Sequence, residues 1–185
     1  MPRDLRQIPV ALAIVAATVP WVTTVSGLAS ADETRPSIAI AEFGYVDTSG
    51  ESRDQSREHA ARLAAFVSAL KADLAAQQRW RLAALDCGGS CQPADIPASD
   101  LLAAARQAGA DVLLVGGIHK MSTLVQWAQV EAIDAKSGQV LLNKLFTFRG
   151  DTDEAWQRAE AFIAAELSNV SAPQGTSHGG GAIAK

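Results

Sequence analysis

The sequence predicts one α/β domain on a single mixed β-sheet with helices packed on it, in the order β-α-β-α-β-β-β-α. Three observations predict it. Short apolar runs alternate with stretches of helical three-and-four spacing; residues 112–118 are apolar at almost every successive position; and two extended runs flank a Ser-Gly turn.

The chain opens with Arg3 and Arg6, continues through an apolar stretch from Ile8 to Val25 and closes on Ala29-Ser30-Ala31. Positive start, hydrophobic middle and small-residue end make the three-part pattern of a secretory signal, with cleavage expected after Ala31. The stretch is barely long enough to serve as an uncleaved membrane anchor, and Pro9 and Pro20 interrupt it. No cysteine follows for a lipid anchor, and the twin-arginine signature is absent. The expected division is a signal over 1–31, an α/β domain over 32–170 and a disordered tail over 171–185, rich in Ser, Gly, Pro and Gln. The compartment this implies is the periplasm.

With Arg3, Arg6 and Asp4 removed from the chain's 16 basic and 20 acidic residues, 14 basic and 19 acidic remain, without a basic run. That balance disfavours nucleic acid and anionic lipid as partners. Membrane association is expected only if the signal stays uncleaved.

Residues 37–43 follow Pro36 and precede Gly44, which reads as a first strand, and a polar loop is expected over 45–55. Leu63, Phe66, Val67, Leu70 and Leu74 mark the inner stripe of a first helix, with Ser52 or Ser56 available as its cap. Residues 80–86 read as a second strand. A short helix starts at Pro97 or Ser99, buries Leu101, Leu102, Ala105 and Ala108, and ends at Gly109. The run 112–118 belongs in the middle of a sheet covered on both faces. Residues 124–134 and 140–149, joined through Ser137-Gly138, complete an antiparallel meander. Asp151 and Glu154 suggest a capping box for a last helix whose inner stripe is Trp156, Ala159, Ile163 and Leu167.

Cys87 and Cys91 are the only cysteines. In an oxidising compartment they should form a disulfide, the intervening Gly-Gly-Ser giving so small a ring its freedom. Redox dithiols usually have two spacer residues rather than three, and a closed zinc site needs four ligands. Neither a cofactor nor a metal is therefore expected.

Of the histidines, His178 lies in the tail and His59 at the polar start of the first helix, whereas His119 stands at the end of the central strand beside Lys120. A strand-end histidine suits a general base, yet no serine sits in a nucleophile elbow, and a hydrogen-bonded structural role fits better. Gly116-Gly117 lie inside a strand, where close packing of a neighbour explains them better than a phosphate cradle does. Arg149-Gly150-Asp151 spells an adhesion tripeptide, but Asp151 already has an expected role as a helix cap. Glu42, Asp47 and Asp86 fall at or past the carboxyl ends of the first two strands, where open α/β sheets place ligands. With His119 they form the candidate ligand-binding set; no catalytic residue is assigned.

Three stretches then carry a resemblance: residues 108–117 (Ala-Gly-Ala-Asp-Val-Leu-Leu-Val-Gly-Gly), 134–140 (Asp-Ala-Lys-Ser-Gly-Gln-Val) and 149–156 (Arg-Gly-Asp-Thr-Asp-Glu-Ala-Trp). With the early strand, they make most of the chain after residue 31 resemble domain-of-unknown-function family 2380, an uncharacterised group of exported bacterial proteins. The same pattern looks like the α/β domains of the TolB amino-terminal region and the curli-secretion protein CsgG, which bind other proteins in the envelope and are not enzymes. The resemblance implies a periplasmic, non-catalytic binding or accessory protein with an envelope or periplasmic protein as partner. The missing lipid-anchor cysteine departs from the curli-type proteins. Two other readings compete: a periplasmic small-molecule binder with its pocket past the first two strands, and a hydrolase or thiol redox enzyme using His119 or the cysteine pair.

Overall fold

A computed structural model describes residues 35–173. The signal segment 1–31, most of the tail, His178 and the glycines at 179–181 lie outside the described residues. The elements are β1 (Ser37–Ile40), β2 (Gly44–Asp47), α1 (Ser56–Ala76), β3 (Arg81–Ala83), α2 (Ala98–Gln107), β4 (Val112–Lys120), β5 (Val125–Asp134), β6 (Val140–Arg149) and α3 (Asp153–Leu167). They form the expected mixed α/β sheet, in the order β3-β1-β4-β5-β6, with β2 also paired to β4.

β4 organises the sheet. Its first half pairs in parallel with β1, Ile38 opposite Val112, and its second half with β2, Gly44 opposite Gly117. Its other side pairs antiparallel with β5 along its whole length. Such a strand must be apolar on both faces. Val112 and Leu114 face the helices α1 and α3, while Leu113 faces α2.

The larger core packs Phe66, Leu70 and Leu74 of α1 and Trp156, Ile163 and Leu167 of α3 against Ile38, Leu114, Val130 and Phe146 of the sheet. Burying side chains of this size contributes roughly 1.5–3 kcal/mol each. On the opposite face α2 covers Ala39, Ala41 and Leu113 with Leu101 and Ala105. It stops short of the distal half of the meander, and Val46 (54 %) and Leu145 (50 %) are exposed there.

Several expected boundaries move. The first strand ends at Ile40, and the expected polar loop contains β2. Four residues with half-buried and exposed side chains carry no apolar run, so β2 exists through its ladder to β4 rather than through its own pattern. Close packing does explain the glycine pair: a Cβ on Gly116 would lie 2.6 Å from the Phe43 ring, and one on Gly117 3.1 Å from the Gly44 carbonyl oxygen. The second strand keeps only Arg81–Ala83, because Trp80 turns into the core and its indole donates to the Leu167 carbonyl at 3.4 Å.

Helix ends also differ. Gln55 occupies the N-cap of α1 without a side-chain capping hydrogen bond, and Ser56 bonds Asp54 instead. At α3 the cap is Thr152, whose Oγ1 accepts from the Ala155 amide at 3.3 Å. Asp151 is thereby released for another role. Gly109 ends α2 with φ +68°, as expected for a C′ glycine.

Candidate functional site

The expected candidate residues separate into two places. Glu42 and Asp86 sit by the cysteine loop. Cys87 and Cys91 are bonded, with S–S 2.09 Å and Cα–Cα 5.6 Å. Glu42 donates its amide to the Cys91 carbonyl at 3.2 Å, its carboxylate accepts from Ser90 at 3.1 Å, and Asp86 accepts the Gly88 amide at 2.9 Å. Both side chains organise the loop and are otherwise exposed. A shallow groove of about 370 Å³ beside β1 and β3 includes Glu42 but not Asp86.

Asp47 and His119 lie together at the β2–β4 ladder, where Val46 stands opposite His119 and Asp47 opposite Lys120. His119 Nε2 is 2.7 Å from Thr48 Oγ1, and its ring meets Trp127 edge-on at 5.7 Å. It lines a groove of about 390 Å³ with Val46, Trp127, Gln129 and Leu145, away from the Glu42 groove. The histidine therefore has the Thr48 hydroxyl and the Trp127 indole as its neighbours.

A dense polar cluster surrounds Lys120, which the sequence marks only as the neighbour of His119. Lys120 is fully buried and its Nζ donates to Glu51, to Gln55 Oε1 at 2.7 Å and to Asp151 Oδ2 at 2.8 Å. Asp47 Oδ2 lies 3.9 Å away. Asp151 also meets His59 Nε2 at 2.8 Å, Arg62 Nη1 at 2.9 Å and Gln126 Nε2 at 3.2 Å. His59 is not on a polar surface: it is 1 % exposed and stacks on Tyr45 at 4.8 Å. Alternation along β4 signals this site, since Ile118 and Lys120 must share the face that α1 and α3 cover.

Electrostatics follow from these contacts. Burial alone would raise the Asp151 carboxyl, but hydrogen bonds from Lys120 and His59 outweigh it and hold the group at about 2. Burial pulls Lys120 down, and its bonds to Asp151 and Glu51 more than reverse that. All three ammonium donors are engaged, and the Asp151 carboxylate accepts from four side chains. A nucleophilic lysine needs a neutral, accessible amine; this one is held charged and enclosed. The cluster ties β4, the β2–α1 loop, α1 and the β6–α3 turn together. It also draws in the aspartate of Arg149-Gly150-Asp151, whose side chain is 11 % exposed and unsuited to an adhesion receptor.

Among the described residues there is no group of three or more His, Cys, Asp or Glu able to hold a metal ion, and no helix long and apolar enough to cross a membrane.

Among solved structures, the hypothetical protein CT253 from Chlamydia trachomatis shares the fold, with 12 % identity and a TM-score of 0.52 over 74 % of this chain and 98 % of that one. TolB from Acinetobacter baumannii matches at 18 % identity and TM-score 0.46, covering 73 % of this chain, which spans 28 % of the TolB chain. The PelC dodecamer from Paraburkholderia phytofirmans matches at 18 % identity and TM-score 0.44, over 76 % of this chain and 90 % of that one. No curated protein matches in sequence. Residues 36–167 match the family model described as "Protein of unknown function (DUF2380)", and the chain belongs to that family.

Proposed function

We propose that the chain is exported to the periplasm, loses residues 1–31, and acts there as a non-catalytic binding module, its domain of 32–170 docking an extended segment of an envelope protein along β6. The observation that carries this reading is the open edge of β6. Among the described residues this ten-residue strand pairs only with β5 and closes the sheet on that side. A long unpaired edge offers a row of backbone donors and acceptors to another chain.

The surroundings of that edge give the occupant its chemistry. Leu145 and Phe162 are 50 % and 56 % exposed, and Arg149 and Arg158 line the same groove of about 500 Å³. Around the strand, the Val46–Trp127–Leu145 groove extends the apolar surface. A complementary segment alternates apolar residues with acidic ones, the apolar side chains lying on the face of Leu145 and Trp127 and the carboxylates on the α3 face near Arg158. Engagement of this kind needs no catalytic group, which accords with the saturated Lys120 cluster.

Photo-crosslinking in living cells tests the reading. A crosslinker replacing Leu145 or Phe162 should give a hetero-adduct with one envelope protein, whereas one replacing Leu82 on the opposite edge strand should not. Adducts with copies of this chain alone, or equal adducts from all three positions, would overturn it.

A further inference from the structure

A second cleft lies between α1 and α3, apart from the β6 edge and adjoining the Lys120 cluster through Arg62, with a volume of about 780 Å³. Its α1 wall is Ala61, Ala65, Ala69 and Ala72, side chains too small to fill the space between the helices. The α3 wall is Asp153, Trp156, Gln157 and Glu160, of which Trp156 and Glu160, four residues apart, share one helix face.

Two buried polar atoms there lack partners. Glu160 is 4 % exposed and nothing among the described residues bonds its Oε1; Trp156 is 2 % exposed and its Nε1 donates to nothing. Native proteins satisfy nearly all such atoms, so each needs an explanation. Other charged groups around the cleft are already engaged: Arg62 bonds Asp151 and Asp153, and Glu58 pairs with Arg53. Of the buried groups on the α3 wall, one acceptor and one donor remain unpaired, a helical turn apart, beside an apolar wall; the exposed Ser68 and Gln157 also line the cleft.

We infer that this cleft binds a small organic amine: its protonated amino group on Glu160 Oε1, its apolar body along the alanines, and an oxygen acceptor on the Trp156 indole N–H. Carboxylates outnumber cations around the cleft, with Glu58 and Asp73 on α1 and Asp153 and Glu160 on α3 against Arg62 and the Arg53 that pairs with Glu58, which favours a cation over a neutral donor. Burial, and secondarily Asp73, pushes the Glu160 carboxyl up to about 7. An amine is bound by the ionised form, so its affinity rises with pH through neutrality while the amine stays protonated.

The purified protein is titrated with 6-amino-1-hexanol and followed by the Trp156 indole signal in nitrogen–proton correlation spectra. A saturable shift is expected, tightening between about pH 6 and pH 8. 1-Hexanol, which lacks the amine, should bind roughly tenfold more weakly, and E160Q should lose a similar factor. A65L changes an exposed alanine and fills the cleft without touching the carboxyl; it should abolish the shift while its amide spectrum stays dispersed. A65L carries the test if E160Q fails to fold. Equal binding of 1-hexanol, wild-type affinity in E160Q or A65L, or no saturable shift in the wild type would overturn the inference.

Discussion

Lys120 Nζ and Asp151 Oδ2 stand 2.8 Å apart, one fully buried at the end of β4 and the other in the turn entering α3, so the central strand is tied to the last helix by a single enclosed ion pair. Removing one partner leaves the other with fewer contacts: Asp151 keeps Arg62, His59 and Gln126, and Lys120 keeps Glu51 and Gln55. K120M and D151N should each destabilise the domain by about 1–3 kcal/mol, since a buried charge-assisted hydrogen bond is lost while the remaining partners still hold the other charge. Chemical denaturation checks this; losses below about 1 kcal/mol would show that the remaining partners alone hold the cluster together.

Two carboxyls give stability opposite slopes with pH. The folded-state value of Asp151 is depressed from 3.8 to about 2, so its contribution is present above about pH 4 and lost as pH falls through 2. It is on the order of 2 kcal/mol. Glu160 is raised from 4.5 to about 7, so its contribution is present below about 4.5 and lost as pH rises through 7. Denaturation series across pH should therefore give maximum stability near pH 4 to 5. E160Q should flatten the decline toward pH 8, and a decline unchanged in E160Q would contradict the assignment.

The Cys87–Cys91 ring pins a loop that Glu42 and Ser90 also hold. Changing both cysteines to serine should cost no more than about 2 kcal/mol, the chain-entropy value for a ring this short. The fold should survive. A thiol titration of protein taken directly from the periplasm should find no free thiol before reduction.

Gly116 separates packing from chance. G116A drives a Cβ to 2.6 Å from the Phe43 ring and 2.8 Å from the Gln129 carbonyl oxygen, and should cost about 1–3 kcal/mol. G89A, with nothing within 4 Å of its new Cβ, should lie within about 0.5 kcal/mol of wild type. Melting temperatures of the two variants decide it.

Much of the fold was legible because its core strands and helices are periodic. Leu70 and Leu74, the doubly apolar β4 and the Ser-Gly hairpin each declare their element in sequence. β2 did not, since Gly44–Asp47 has no apolar pattern and owes its conformation to pairing with Gly117–Lys120. The candidate set was legible in part: Asp47 and His119 share one ladder, whereas Glu42 and Asp86 serve the cysteine loop. His59 and Asp151 read as a helix start and a helix cap because contacts spanning 92 residues leave no local trace.

Export is open to direct proof. Protein recovered from the periplasm should begin at Asp32, and intact-mass spectrometry would contradict this by finding Met1 retained in a membrane pellet.

The affinity of the envelope protein crosslinked from Leu145 tests the claim that β6 is a docking edge. V46D/L145D places carboxylates on the exposed apolar face and should weaken that affinity roughly tenfold or more while leaving the melting temperature near wild type. Undiminished binding by a folded V46D/L145D protein would contradict the claim.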